Sequence, residues 1–191
     1  MAQNYRKKRV APVDENGNQI ILEGDKREAM LTRARNSVLY QLGSSPRSRF
    51  QLATRLKENG IPDDIIEEVL DRYVELGFIN DATFANSLTE SRHRSKGLAR
   101  NAIKQELKQK GVNPEEVEVA LESISEEDEY KRAYELVVRK APSTARLEKD
   151  ARTRRLVGML SRKGYSPNIA FKVVKEVLSL EISELPEGLD D

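Results

Sequence analysis

Three stretches of this chain align without a gap: LKENGIPDDIIEEVL from Leu56 to Leu70, LKQKGVNPEEVEVAL from Leu107 to Leu121, and LSRKGYSPNIAFKVV from Leu160 to Val174. Each reads as one helix ending and another beginning. The glycine (Gly60, Gly111, Gly164) supplies a left-handed helix end without steric cost, and the proline two or three residues later can only open a new helix. Asn113-Pro114 and Ser166-Pro167 read as cap plus first turn, whereas Pro62 stands one place earlier and leaves the start of its helix open. The apolar register agrees. Before the glycines come Leu52 and Leu56, Ile103 and Leu107, Leu156 and Leu160. After them come Ile66, Val69, Leu70 and Tyr73, then Val117, Ala120, Leu121 and Ile124, then Ala170, Val173, Val174 and Val177. Each set lies on one helix face.

Working outward, a third helix precedes each pair. The first is expected from about Lys26 to Leu42, with Met30, Ala34, Val38 and Leu42 inward, ending in the breaker Gly43-Ser44-Ser45-Pro46. The second starts near Asn80-Asp81 and carries Phe84, Ala85 and Leu88. The third opens on the capping-box signature Ser125 to Asp128 and carries Tyr134, Leu136, Val137 and Val138. Ser48 with Gln51 is another candidate box. The glycines recur at 51 and 53 residues, a period that holds three helices with short turns. The reading is an all-α, elongated tandem array of three helix-turn-helix-like repeats over 26–79, 80–124 and 125–180. Residues 1–25 read as a flexible arm or a marginal hairpin about Asn16-Gly17, and 181–191 as an acidic tail.

Composition excludes several classes. There is no cysteine, so disulfides, thiolate metal sites and cysteine nucleophiles are absent. A single histidine, His93, with no cysteine beside it makes a zinc site improbable, and a surface contact suits it better than chemistry; no metal or cofactor is expected. Glycines stand singly, with no phosphate-cradling loop, and Asp63-Asp64 fits a helix start better than acid–base chemistry. No catalytic residue emerges, so an enzyme such as a nuclease is disfavoured. No apolar run is long enough to span a bilayer, which with the missing signal peptide reads as a cytoplasmic protein. Tyr73, Phe78, Phe84 and Phe171 are expected in the core, with Tyr165 open.

Charge is locally uneven although 33 basic and 32 acidic residues leave the whole at +1. From Arg92 to Lys110, Arg92, Arg94, Lys96, Arg100, Lys104, Lys108 and Lys110 face one acid, Glu106. Arg100, Lys104 and Lys108 fall on one helix stripe and are all expected to be exposed. A second block, Arg146 to Lys163, contributes Arg152, Arg154, Arg155, Arg162 and Lys163. A charge run is usually a solvated face, yet same-sign stripes in two repeats point to an acidic partner, either phosphate backbone or protein. As recognition helices, those after Gly60 and Gly111 are too acidic for DNA; only the third, with Asn168, Lys172 and Lys175, qualifies.

The segment GFINDATFANSLTESRHRSKGLARNAIKQELKQKG, from Gly77 to Gly111, resembles the most recognisable stretch of the RecX family. The resemblance rests on Gly77, Phe78, Ile79, Asp81, Phe84, Ala85, Arg92, Lys96, Gly97, Ile103, Glu106, Leu107, Lys110 and Gly111, and extends more weakly over 27–178. Asn80 replaces an expected acid and serves equally as a cap. The resemblance implies a monomeric regulator that binds RecA–DNA filaments and restrains recombinase, ATPase and coprotease activities in DNA repair and the SOS response. The alternative is a nonspecific helical DNA-binding protein acting through phosphates of single- or double-stranded DNA.

Overall fold

The computed structural model describes residues 23–183, and side chains for 24–180. Most of the expected N-terminal arm or marginal hairpin (1–25) and most of the acidic tail (181–191) lie outside the described residues; 23–25 already belong to the first helix. Those described form nine α-helices and no strand: α1 (Glu23–Ser44), α2 (Arg49–Glu58), α3 (Asp63–Glu75), α4 (Asp81–Ser91), α5 (Arg100–Gln109), α6 (Pro114–Glu122), α7 (Glu126–Lys140), α8 (Lys149–Arg162) and α9 (Pro167–Ser183). A π-helical turn, Arg92–Lys96, extends α4, and a 3-10 turn, Ala141–Thr144, follows α7.

The local signals act as read. Asn80 and Asn113 accept from the backbone N–H groups of Thr83 and Glu115 at 2.8 and 2.9 Å. Ser125 and Asp128 form a reciprocal capping box, and Ser48 and Gln51 exchange equivalent bonds at 3.2 and 3.3 Å. α3 opens at Asp63, directly after Pro62, which as an N-cap has no side chain to offer.

Five expectations need correcting. α1 runs through Gly43 and stops at Ser44, because helical glycine is merely costly while Pro46 restricts the residue before it. Leu31, not Met30, turns inward with Ala34 and Val38; Met30 is 38% exposed. Phe78 is 60% exposed: the left-handed turn at Gly77 ends the helical register, and the ring lies tilted on Tyr73 with centroids 5.8 Å apart. Phe171 is 57% exposed because it follows the buried Ala170 by one residue, a rotation that carries it off the apolar stripe; Val138 is exposed after Val137 in the same way.

The chain divides into two compact units. The first contains α1, α2 from Leu52 onward, and α3. Its core is built from Leu31, Ala34, Val38, Leu52, Leu56, Ile65, Ile66, Val69, Leu70 and Tyr73. Arg27, near the start of α1, donates to Glu68 of α3 at 2.6 Å.

The second unit contains the opening of α2, Arg47–Gln51, and everything from Ile79. One core gathers Phe84, Ala85, Ile103, Leu107, Val117 and Leu121, and another Leu136, Val137, Leu156, Leu160, Tyr165 and Val173 together with Ala99. One joint recurs here in two versions. In the first, the Ser48 hydroxyl donates to the carbonyl of Lys110 at 2.6 Å, and the Arg49 N–H donates to Asp81 at 2.8 Å. In the second, the Ala99 N–H donates to the carbonyl of Lys163 at 2.9 Å, and the Arg100 N–H to Glu129 at 2.8 Å. Each time the start of a middle helix seats on the residue before a repeat glycine. The fit is tight: a methyl on Gly164 would lie 2.6 Å from the backbone nitrogen of Ala102, and one on Gly111 would lie 2.3 Å from Phe50. α8 departs from this pattern. Arg152, the counterpart of Ser48 and Ala99 by distance from the glycine, lies inside the helix and turns back onto the 3-10 segment, donating to Thr144 and the Ala141 carbonyl, both at 3.1 Å.

Candidate functional site

The basic residues from Arg92 to Lys110 do not form one free stripe. Arg92 approaches Glu106 edge-on, with three N–H to carboxylate contacts of 2.7 to 3.0 Å. The two side chains are only 22% and 24% exposed, so this is an internal charge-assisted fork. The Arg92 hydrogen bond, reinforced by Lys110 and Lys96, holds the Glu106 carboxyl below the usual glutamate range. Lys110 reaches the same carboxylate at 3.8 Å.

Arg100 and Lys104, expected to be exposed, are half-buried and partnered. Arg100 donates to the carbonyl of Ile124 at 3.3 Å, where it answers the open C-terminal end of α6. Lys104 pairs with Glu118 of α6, and its hydrogen bond lowers the Glu118 pKa. The physical reason is that α5 packs beside α6, whose acidic residues lie within reach of these cations. Lys108 alone of the three is exposed. An open groove of about 710 Å³ runs past Gln51, Lys96, Ala102, Gln105, Glu106, Gln109 and Lys110.

A second group of cations assembles around the π-turn. It closes on Gly97, against which Leu136 packs. Arg132 donates to the Arg94 carbonyl and Lys163 to the Lys96 carbonyl, so two cations from the third repeat cap the C-terminal end of an α4 extension. Burial, then Arg139 and Arg132, hold the Lys163 ammonium below the usual lysine range. The Tyr165 hydroxyl donates to the Gly97 carbonyl at 3.2 Å, and burial raises its pKa. Sequence reading passed over Arg132, Arg139 and the Tyr165 contact. The seven-residue spacing of Arg132 and Arg139 on α7 was the available signal. His93 places Nδ1 3.0 Å from the Leu98 carbonyl, inside the same turn.

Of the sequence-derived candidates, Arg92, Arg100, Lys104, Lys110, Arg152 and Lys163 are thus engaged within the protein. Arg94 is exposed and pairs with Glu90 at 3.1 Å. Lys96, Lys108, Arg154, Arg155 and Arg162 are exposed and make no ion pair among the described residues. No cluster of three potential metal-binding side chains occurs among the described residues, and no helix there is long and apolar enough to cross a membrane.

Family models described as the first, second and third three-helix domains of RecX match residues 34–72, 80–121 and 126–174. The chain is 45% identical over 159 residues to a Streptomyces coelicolor protein named Regulatory protein RecX, covering 83% of this chain and 84% of that one. It is 42% identical over 154 residues to the Thermobifida fusca protein of the same name, covering 81% and 83%. The crystal structure of RecX from Lactobacillus salivarius superposes with a TM-score of 0.71 at 21% identity, over 80% of this chain and 99% of that one, which bears on the fold alone. All three domains in order, with relatives of this identity and coverage, establish that the chain belongs to the RecX family of regulatory proteins.

Proposed function

We propose that this chain is a non-enzymatic cytoplasmic regulator that binds RecA–DNA filaments as a monomer and modulates them, mainly by inhibiting recombinase, ATPase and coprotease activities in DNA repair and the SOS response. The observation that carries this reading is the ordered match to all three RecX domains, with close relatives named Regulatory protein RecX. Repeated three-helix units offer broad surface and little enclosed volume, which suits a macromolecular partner better than a small substrate. The test is RecA ATPase on single-stranded DNA, titrated with the full chain. Activity is expected to fall at amounts well below one chain per RecA subunit. Unchanged activity, or a decline only at amounts that coat the DNA, would count against the reading.

A second reading is nonspecific binding to free DNA through phosphates. Lys96, Lys108, Arg154, Arg155 and Arg162, exposed and without an ion pair among the described residues, favour it. It predicts affinity that falls steeply with salt and shows no sequence preference; selection of a defined operator would contradict it.

A further inference from the structure

The helix that follows each repeat glycine presents the same four positions outward: four, seven, eight and eleven residues beyond it. In α3 they are Asp64, Glu67, Glu68 and Asp71; in α6, Glu115, Glu118, Val119 and Glu122. In α9 they are Asn168, Phe171, Lys172 and Lys175. The four positions therefore carry net charges of −4, −3 and +2. The acidic versions are partly answered from within: Arg27 reaches Asp64 and Glu68 at 3.7 and 2.6 Å, and Lys104 pairs with Glu118.

On α9 none of the four side chains is hidden: Asn168, Phe171, Lys172 and Lys175 are each exposed, Phe171 to 57%. The core below is already filled by Ala170, Val173, Val174 and Val177, so packing does not call for an aromatic at 171. Lys172 is held 4.9 Å above the Tyr130 ring. Glu176, the acid beside the stripe, accepts a hydrogen bond from the Tyr130 hydroxyl. We infer that this face of α9 binds single-stranded nucleic acid, with an unstacked base lying on Phe171 and the flanking phosphates met by Lys172 and Lys175.

The juxtaposition of one exposed ring with two cations is what a sequence-tolerant single-strand platform requires. A duplex hides its base faces and offers the ring only edges. Helix docking into a protein groove uses several apolar anchors on one stripe, whereas Phe171 stands alone between Asn168 and Ser179. The inference stands apart from the filament reading, because oligonucleotide binding is measured without recombinase.

The test is fluorescence anisotropy of the full chain with oligo(dT) of about 16 nucleotides, an abasic chain of the same length, and a duplex. Phe171→Ala is expected to weaken oligo(dT) binding about tenfold, the loss of one stacked base, while leaving the abasic chain unaffected. Lys172→Ser with Lys175→Ser should weaken both and flatten the salt dependence by roughly one to two phosphate contacts. All these positions are exposed, and unchanged melting of each variant confirms the fold. Wild-type protein that does not bind oligo(dT), or a Phe171→Ala variant that binds it as wild type, overturns the inference. If that same variant loses RecA inhibition instead, the face docks on protein.

Discussion

In α5 the guanidinium of Arg100 and the ammonium of Lys104 lean onto α6, onto a carbonyl and a carboxylate, while Arg92 and Lys110 at either end converge on Glu106. In α8, by contrast, Arg154, Arg155 and Arg162 stay exposed without an ion pair among the described residues, and only Arg152 turns inward. Both helices lie in basic blocks of similar local charge. The difference lies in their neighbours: α6, beside α5, is acidic, whereas α9, beside α8, carries Lys172 and Lys175. Charge along a sequence is therefore a poor guide to charge available for a partner. What decides is whether the adjacent helix supplies counterions.

The largest effect should come from breaking the joint that seats α5. Gly164→Ala forces a methyl against the Ala102 backbone at a φ of +87°, and is expected to cost about 3 kcal/mol, lowering the melting temperature sharply. Gly60→Ala, where the added methyl meets nothing within 4 Å, should cost only about 1 kcal/mol, chiefly the left-handed strain. If calorimetry finds the two equal, the joint is not tight.

Next comes the Arg92–Glu106 fork. Arg92→Ala should destabilise by about 2 kcal/mol, between the values for exposed and fully buried pairs. Because the folded-state pKa of Glu106 is lowered, its contribution is complete above the ordinary glutamate range and is lost as pH falls through the lower folded value. Acid titration of stability should therefore be shallower below pH of about 4 in Arg92→Ala than in wild type. An identical pH profile would show that the fork does not bind its proton differently on folding.

The smallest effect belongs to Lys104→Ser. With its partner Glu118 at the surface, the variant should melt close to wild type and bind the proposed filament unchanged. Loss of binding there would return α5 to the interface and erase its contrast with α8.

The repeats were readable because their signals are local: a glycine, a cap and a proline within a few residues, with an apolar stripe on either side. Ser48, Asn80, Asn113 and Ser125 cap where their spacing indicates. The fate of each cation was not readable, because the carboxylate that engages Arg92 is 14 residues away and the carbonyl that receives Lys163 is 67 residues away. Such pairings follow from how helices pack rather than from neighbouring residues. Exposure of Phe171 and the inward turn of Leu31 hinge on single-residue rotations, which a stripe of mixed apolar positions does not resolve. The early start of α8 was hidden likewise: the joint that fixes the start of α5 has no counterpart there, and Arg152 satisfies the preceding turn instead.

Partner contact is expected on the exposed cations that make no ion pair among the described residues. The most direct test is the affinity of RecA–DNA filaments for the triple variant Arg154→Ser, Arg155→Ser, Arg162→Ser, measured beside wild type. The account predicts a loss of about tenfold or more, equivalent to some 1.4 kcal/mol, with unchanged melting. Wild-type affinity in that variant would contradict it.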